Sequence, residues 1–266
     1  MKGRVLSIAG SDCGGGAGIQ ADIKTVTALG GYAMTAITAI TVQNTLGVSG
    51  VHEVPPAIVR AQIEAVMSDL GADAWKTGML GSAEHVRVVI EAYRAWGAGI
   101  PLVLDPVMIA KGGASLLDDG AIALARDELA PLAAIVTPNA PEAERLVDIE
   151  VRDVERQTRA AEILVQSGAQ AALVKGGHIA GDMVRDVLAT RDGVTVFETP
   201  RIATRATHGT GCTLASAIAV KLAQGVPVER AVAEARAYLL RAIAAAPGFG
   251  EGHQPLGHGW TAKQDG

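Results

Sequence analysis

Apolar and polar positions alternate between two periods along the chain. Short apolar or β-branched runs at 6–9, 32–42, 48–54, 74–79, 102–104, 134–137 and 171–175 predict strands. Between them, apolar residues recur at helical spacing over 19–29, 56–70, 83–96, 119–129, 153–166, 214–222 and 228–245. Pro141 begins a further helix, Ser82 is placed to cap the one before Trp96, and Gly30 and Gly168 stop two others. The runs 183–190 and 194–198 flank Asp192-Gly193, a hairpin signal that adds an antiparallel edge. Strand and helix in turn predict an α/β fold with a parallel sheet. The Gly-, His- and Pro-rich segment from Pro247 is expected to be a loose end.

Ligands of open parallel sheets lie off the carboxyl ends of the strands, so the residues that follow each run carry the candidate chemistry. The first run ends in Gly10-Ser11-Asp12-Cys13 and a glycine-rich loop that departs from the spacing of a dinucleotide fingerprint. Asp22 lies early in the next helix, where a carboxylate suits the dipole with or without a ligand. Gln43 ends the second run; its amide offers donor and acceptor side by side, as an aminopyrimidine edge requires, or simply faces water. Asp105 ends another run, either as a turn former or facing ligand, and Lys111-Gly112-Gly113 is expected to let the following loop move. Asn139 and Glu142 satisfy a helix cap, and Glu142 with Asp105 could equally supply oxygens to Mg²⁺ through water. Lys175 closes an apolar run and needs solvent or an anion such as a nucleotide phosphate.

Thr207-His208-Gly209-Thr210-Gly211-Cys212 runs straight into a helical pattern. Gly209 and Gly211 would let backbone N–H groups crowd onto an anion at the positive end of a helix. Cys212 falls in its first turn, where that field favours thiolate and a base near neutral pH; a plain turn and a small buried thiol are the simpler alternatives.

Composition narrows the partners. At 266 residues, 49% hydrophobic and only 3% aromatic, the chain is read as a single unit over 1–266 with a large aliphatic core, without repeats or linkers. A net charge of −5 without a basic block, and few rings for stacking, argue against nucleic acid and for small-molecule chemistry. Cys13 and Cys212 form no ligand cluster and fit a reduced, cytoplasmic setting. Neither a signal peptide nor an apolar run long enough for a membrane is present.

Taken in order, Ile8-Ala9-Gly10-Ser11-Asp12, residues 15–22, Thr41-Val42-Gln43-Asn44-Thr45, Lys76-Thr77-Gly78-Met79-Leu80 and Asp105-Pro106-Val107-Met108 resemble the ribokinase-like superfamily. Residues 137–144, Val174-Lys175-Gly176-Gly177-His178 and 207–214 extend the likeness to nearly the whole chain. Within that superfamily the chain is most similar to the hydroxymethylpyrimidine and phosphomethylpyrimidine kinases of thiamine biosynthesis. The resemblance implies a three-layer sandwich, with a central, mostly parallel sheet and helices on both faces. It implies ATP and Mg²⁺ as cofactors, an aminopyrimidine as small-molecule substrate, and a homodimer. It places Cys212 where many such kinases carry an aspartate base, with Gly209 and Gly211 as anion hole. Gln43 and Asp22 match pyrimidine-side positions walled by Gly10, Met79 and Val107. Lys175, Thr207, Asn139 and Asp105 match the nucleotide side, and Asn139 with Glu142 the motif tied to Mg²⁺. Cys13 departs from the family pattern, in which proline or serine is common there. The rival expectations are a pyridoxal kinase on the same fold, or a pyrimidine sensor that binds without turnover.

Overall fold

The computed structural model describes residues 3–108 and 118–263. Its strands are β1 (Arg4–Asp12), β2 (Tyr32–Asn44), β3 (Gly47–Glu53), β4 (Ala74–Thr77), β5 (Leu102–Leu104), β6 (Ile135–Val136), β7 (Ala171–Val174), β8 (Met183–Thr190) and β9 (Gly193–Pro200). The helices are α1 (Gly18–Ala28), α2 (Pro56–Asp69), α3 (Ala83–Trp96), α4 (Asp119–Leu124), α5 (Ala140–Val147), α6 (Val154–Gln166), α7 (Thr210–Ala223) and α8 (Val228–Ala244). The strands form one nine-stranded sheet in the order β3-β2-β1-β4-β5-β6-β7-β8-β9. The β2–β3, β7–β8 and β8–β9 pairings are antiparallel and the others parallel, so the Asp192-Gly193 hairpin makes the antiparallel edge expected of it.

The central strands are apolar on both faces because both are covered. Leu6, Ile8, Trp75, Leu102 and Leu104 point to one side and pack with α2 to α6. Val5, Ala74, Val103, Ile135 and Leu173 point to the other, against α7 and α8, with Val26 of α1 in the same layer. Alternation along each strand thus builds two cores from one sheet. The strand order reverses at β1, which lies between β2 and β4. A crevice opens there at the carboxyl ends of the strands.

Two expectations need correction. The helix over 119–129 ends as α4 at Leu124, continues as a wider π-type turn over Ala125–Leu129 and then a short 3₁₀ turn over Ala130–Leu132. Pro131 stands in that turn, and its ring would collide with the Asp127 carbonyl in a continuing α-helix. The segment from Pro247 is not loose. Leu256 and His258 are buried. The Tyr238 hydroxyl donates to the His258 carbonyl at 2.9 Å, and Thr213 Oγ1 lies 2.9 Å from His258 Nε2. Gly257 passes so close to helix α8 that a Cβ there would sit 2.1 Å from the Ala245 carbonyl oxygen. Lys111, Gly112 and Gly113 lie outside the described residues.

Candidate active site

A cavity of about 670 Å³ opens over the carboxyl ends of the central strands. Its lining includes Gly10, Gln43, Met79 and Val107, then Asp105, Asn139, Glu142 and Lys175, and Thr207, Gly209, Gly211 and Cys212. Residues scattered over the sequence meet here because strand ends and loops on one edge of a parallel sheet share one rim.

Asp22 is the predicted site residue that the cavity does not include. It is fully buried, with its carboxylate turned onto protein partners. Lys76 donates to both of its oxygens at 3.0 Å, Ser7 donates at 2.5 Å and Ser216 at 2.7 Å. A buried carboxylate needs such partners, and here they consume it. Burial alone would lower the pKa of Lys76, but Asp22, Cys212 and Asp105 outweigh it and raise it, so the ammonium is kept. Sequence reasoning passed over Lys76, although a lysine inside the run of β4 carried the same signal as Lys175.

The turn into α7 is built by Gly209, whose φ of +79° allows the chain to enter the helix at Thr210. A Cβ at Gly209 would lie 1.8 Å from the Gly16 carbonyl oxygen, so this turn and the glycine loop after β1 touch backbone to backbone. Gly209 brings no capping side chain, which leaves first-turn N–H groups for an anion. Cys212 corrects a second expectation. Burial pushes its thiol up to about 11, with Asp22 and Asp105 adding to the rise and Lys76 and the Gly18 N–H opposing it. Desolvation therefore outweighs the helix field, and Cys212 rests as a thiol at neutral pH.

At the centre, Lys175 donates to Asp105 Oδ1 at 3.2 Å. Burial would lower the lysine pKa, yet Asp105 and Glu142 together raise it. The other carboxylate oxygen of Asp105, Oδ2, is buried without a hydrogen-bond partner. Asn139 and Glu142 form a capping box: the Asn139 N–H donates to Glu142 Oε2 at 2.7 Å, and the Glu142 N–H to Asn139 Oδ1 at 3.0 Å. At the far end, Arg236 donates to Asp186 Oδ2 at 2.7 Å and stacks over Phe197, while Asp186 Oδ1 accepts from the Gly176 N–H. That pair, which local pattern did not flag, holds the Gly176-Gly177 backbone behind Lys175.

Two further residues escaped the sequence reading. His208 Nε2 lies 2.8 Å from Asp12 Oδ2 in a buried pair. Asp12 also accepts N–H groups of Gly14, Gly16 and Ala17 at 2.8 to 3.0 Å. Burial raises its carboxyl pKa, but His208 and the N–H groups of Ala17 and Gly14 bring it below the usual value. From outside, His253 Nδ1 lies 2.8 Å from Thr207 Oγ1, and the His208 N–H donates to the Gln254 carbonyl at 3.2 Å. Cys13 is exposed, its Sγ 3.1 Å from the Gln43 carbonyl oxygen.

A family model described as phosphomethylpyrimidine kinase matches residues 12–257. The chain is 47% identical to the hydroxymethylpyrimidine/phosphomethylpyrimidine kinase of Streptomyces coelicolor, over 97% of this chain and 94% of that protein. It is 52% identical to the thiamine biosynthesis bifunctional protein ThiED of Geobacter sulfurreducens over 97% of its own length, and spans 52% of that longer protein. The structure of phosphomethylpyrimidine kinase from Clostridium difficile 630 superposes with a TM-score of 0.81 at 41% identity, covering 91% of this chain and all of that one. Pyridoxal kinase from Staphylococcus aureus in complex with ADP gives 0.90 at 35% identity, covering 97% and 94%. Fold, cavity and a match from residue 12 to residue 257 point the same way: the chain belongs to the phosphomethylpyrimidine kinase family.

Proposed function

We propose that this kinase transfers the γ-phosphoryl group of ATP to the hydroxymethyl oxygen of 4-amino-5-hydroxymethyl-2-methylpyrimidine, and then a second one to the resulting monophosphate, in thiamine biosynthesis. The observation that carries this reading is that one cavity joins Gln43, Cys212 and the Lys175–Asp105 pair. Gln43 grips the amine and ring nitrogen of the pyrimidine, and Gly10, Met79 and Val107 wall it. The minor fraction of Cys212 that has lost its proton to solvent takes the hydroxymethyl proton, and the first-turn N–H groups of Gly209 and Gly211 with Lys175 meet the charge on the transferring phosphoryl. Thr207 and Asn139 lie on the nucleotide side. The second acceptor is already an anion and needs no base.

Asp105 and Glu142 are the residues that would hold Mg²⁺. The orphaned, buried Oδ2 of Asp105 fits a hard cation that keeps most of its waters. Bound there, Mg²⁺ would offset charge on the phosphate oxygens. We read 1–266 as one kinase unit working in the cytoplasm; among the described residues no helix is long and apolar enough to cross a membrane. We also read it as a homodimer, supported by Ile40 and Val42, which share one face of β2 and are 50% and 61% exposed. Light scattering tests this: a monomeric mass would remove the dimer.

Pyridoxal phosphorylation is the second reading, favoured by the close superposition on a pyridoxal kinase. The experiment is ATP consumption with hydroxymethylpyrimidine, its monophosphate and pyridoxal as acceptors. Turnover of both pyrimidines with little for pyridoxal is the expected outcome; preference for pyridoxal would overturn the pocket assignment around Gln43.

A further inference from the structure

The orientation of the Gln43 amide is settled by its neighbours, on the reading that Gln43 meets the acceptor ring. His208 Nε2 lies 2.8 Å from Asp12 Oδ2 and 3.5 Å from Gln43 Nε2. A carboxylate only accepts, so the ring nitrogen facing Asp12 carries a proton whatever the charge of the ring. That nitrogen cannot also accept from an amide NH₂; two donors would face each other. At the other side of the amide, Thr41 Oγ1 lies 2.9 Å from the Ser11 carbonyl oxygen and 3.2 Å from Gln43 Oε1. One hydroxyl proton cannot serve two acceptors.

A half-turn of the carboxamide removes both conflicts, because amide oxygen and nitrogen exchange places at almost no steric cost. The oxygen then takes a share of the His208 proton, while the NH₂ donates to Thr41, which donates to Ser11. The outer edge of the amide is left with one lone pair on the His208 side and one N–H on the Thr41 side, in that fixed order. A ring that fits must offer an amine toward His208 and a bare ring nitrogen toward Thr41.

We propose that His208, held by Asp12, is a specificity-determining positioning residue: it fixes which way the Gln43 amide faces and so selects rings with an amine beside a ring nitrogen over pyridoxal, which lacks that amine.

The test is kcat/KM for hydroxymethylpyrimidine and for pyridoxal in the parent enzyme and in His208→Phe, His208→Leu, His208→Gln and Gln43→Ala. The ratio of the two values is expected to fall at least about tenfold in His208→Phe, the scale of discrimination lost with one oriented polar contact. His208→Gln restores an N–H donor and is expected to recover most of the ratio. His208→Leu removes the donor with a smaller apolar side chain, is expected to lower the ratio as His208→Phe does, and carries the test should His208→Phe not fold. A merely structural loss would weaken both acceptors alike. An unchanged ratio in the folded variants, with KM for the pyrimidine raised in Gln43→Ala, overturns the role of His208. An unchanged KM in Gln43→Ala instead removes the underlying assignment of Gln43.

Discussion

Lys76 of β4 and Asp22 of α1 meet in the interior, the ammonium nitrogen 3.0 Å from both carboxylate oxygens and neither side chain reaching solvent. Breaking such a pair leaves a buried charge uncompensated, so Lys76→Met should cost about 3–5 kcal/mol. Lys76→Met combined with Asp22→Leu should recover much of that loss. Urea unfolding of the singles and the double provides the cycle, and a loss below about 1 kcal/mol for Lys76→Met would contradict it. Because the folded-state pKa of Lys76 is raised, its contribution is complete below the unfolded lysine value of about 10.4 and fades only as pH rises above it.

Cys212 carries a pH signature. With its thiol pushed up to about 11, the thiolate fraction grows about tenfold per pH unit from neutrality upward. The first phosphorylation should climb with pH over that range while the second stays flatter. Cys212→Ala should slow the first step on the order of 10²-fold or more and the second clearly less. A plateau near pH 8, or equal losses in both steps, would sink the assignment.

Glu142 serves a cap and, in our proposal, a metal, and one substitution separates the two. Glu142→Gln keeps the capping box, since glutamine fills that position too, but removes a charge. Thermal stability should hold while more Mg²⁺ is needed for half-maximal rate. Asn139→Ala should raise the Mg²⁺ requirement and also cost about 1 kcal/mol of stability as a lost cap. Superimposable Mg²⁺ titrations would take both residues out of metal binding.

His258 predicts an acid limit. Burial, reinforced by the charge of Lys24, lowers its pKa to about 4. A depressed histidine stabilises the fold above its unfolded value of about 6.5, and that share is lost as pH falls toward 4, up to about 3 kcal/mol. His258→Gln keeps a partner for Thr213 but does not titrate there, so its melting temperature should fall less steeply between pH 6.5 and 4. Parallel curves would show that acid acts elsewhere.

What was legible in the chain was local. Gly209 and Gly211 before a helical pattern, the Asp192-Gly193 hairpin and the carboxylate after Leu104 all lie within a few residues of the signal that betrays them. What escaped was pairing across distance. Lys76 sits between Trp75 and Thr77 in a run that any apolar scan takes for core, and its partner is 54 positions away. His208 and Asp12 are 196 apart, and no spacing rule joins them. The tail misled by composition, since its glycines and prolines suggested a loop while Leu256 and His258 anchor it. The helix field at Cys212 follows from its place in the first turn, but burial, which the sequence does not display, acts the other way and prevails.

The contacts of the segment from Pro247 also tie together stretches that lie far apart in sequence. The turn into α7 is held through His208 and Thr207 by Asp12 of β1 and by His253 and Gln254, while His258 meets Thr213 one turn further along the helix. The geometry of that turn is therefore not a local property of its own glycines: a change near residue 12 or near residue 255 reaches it without touching it.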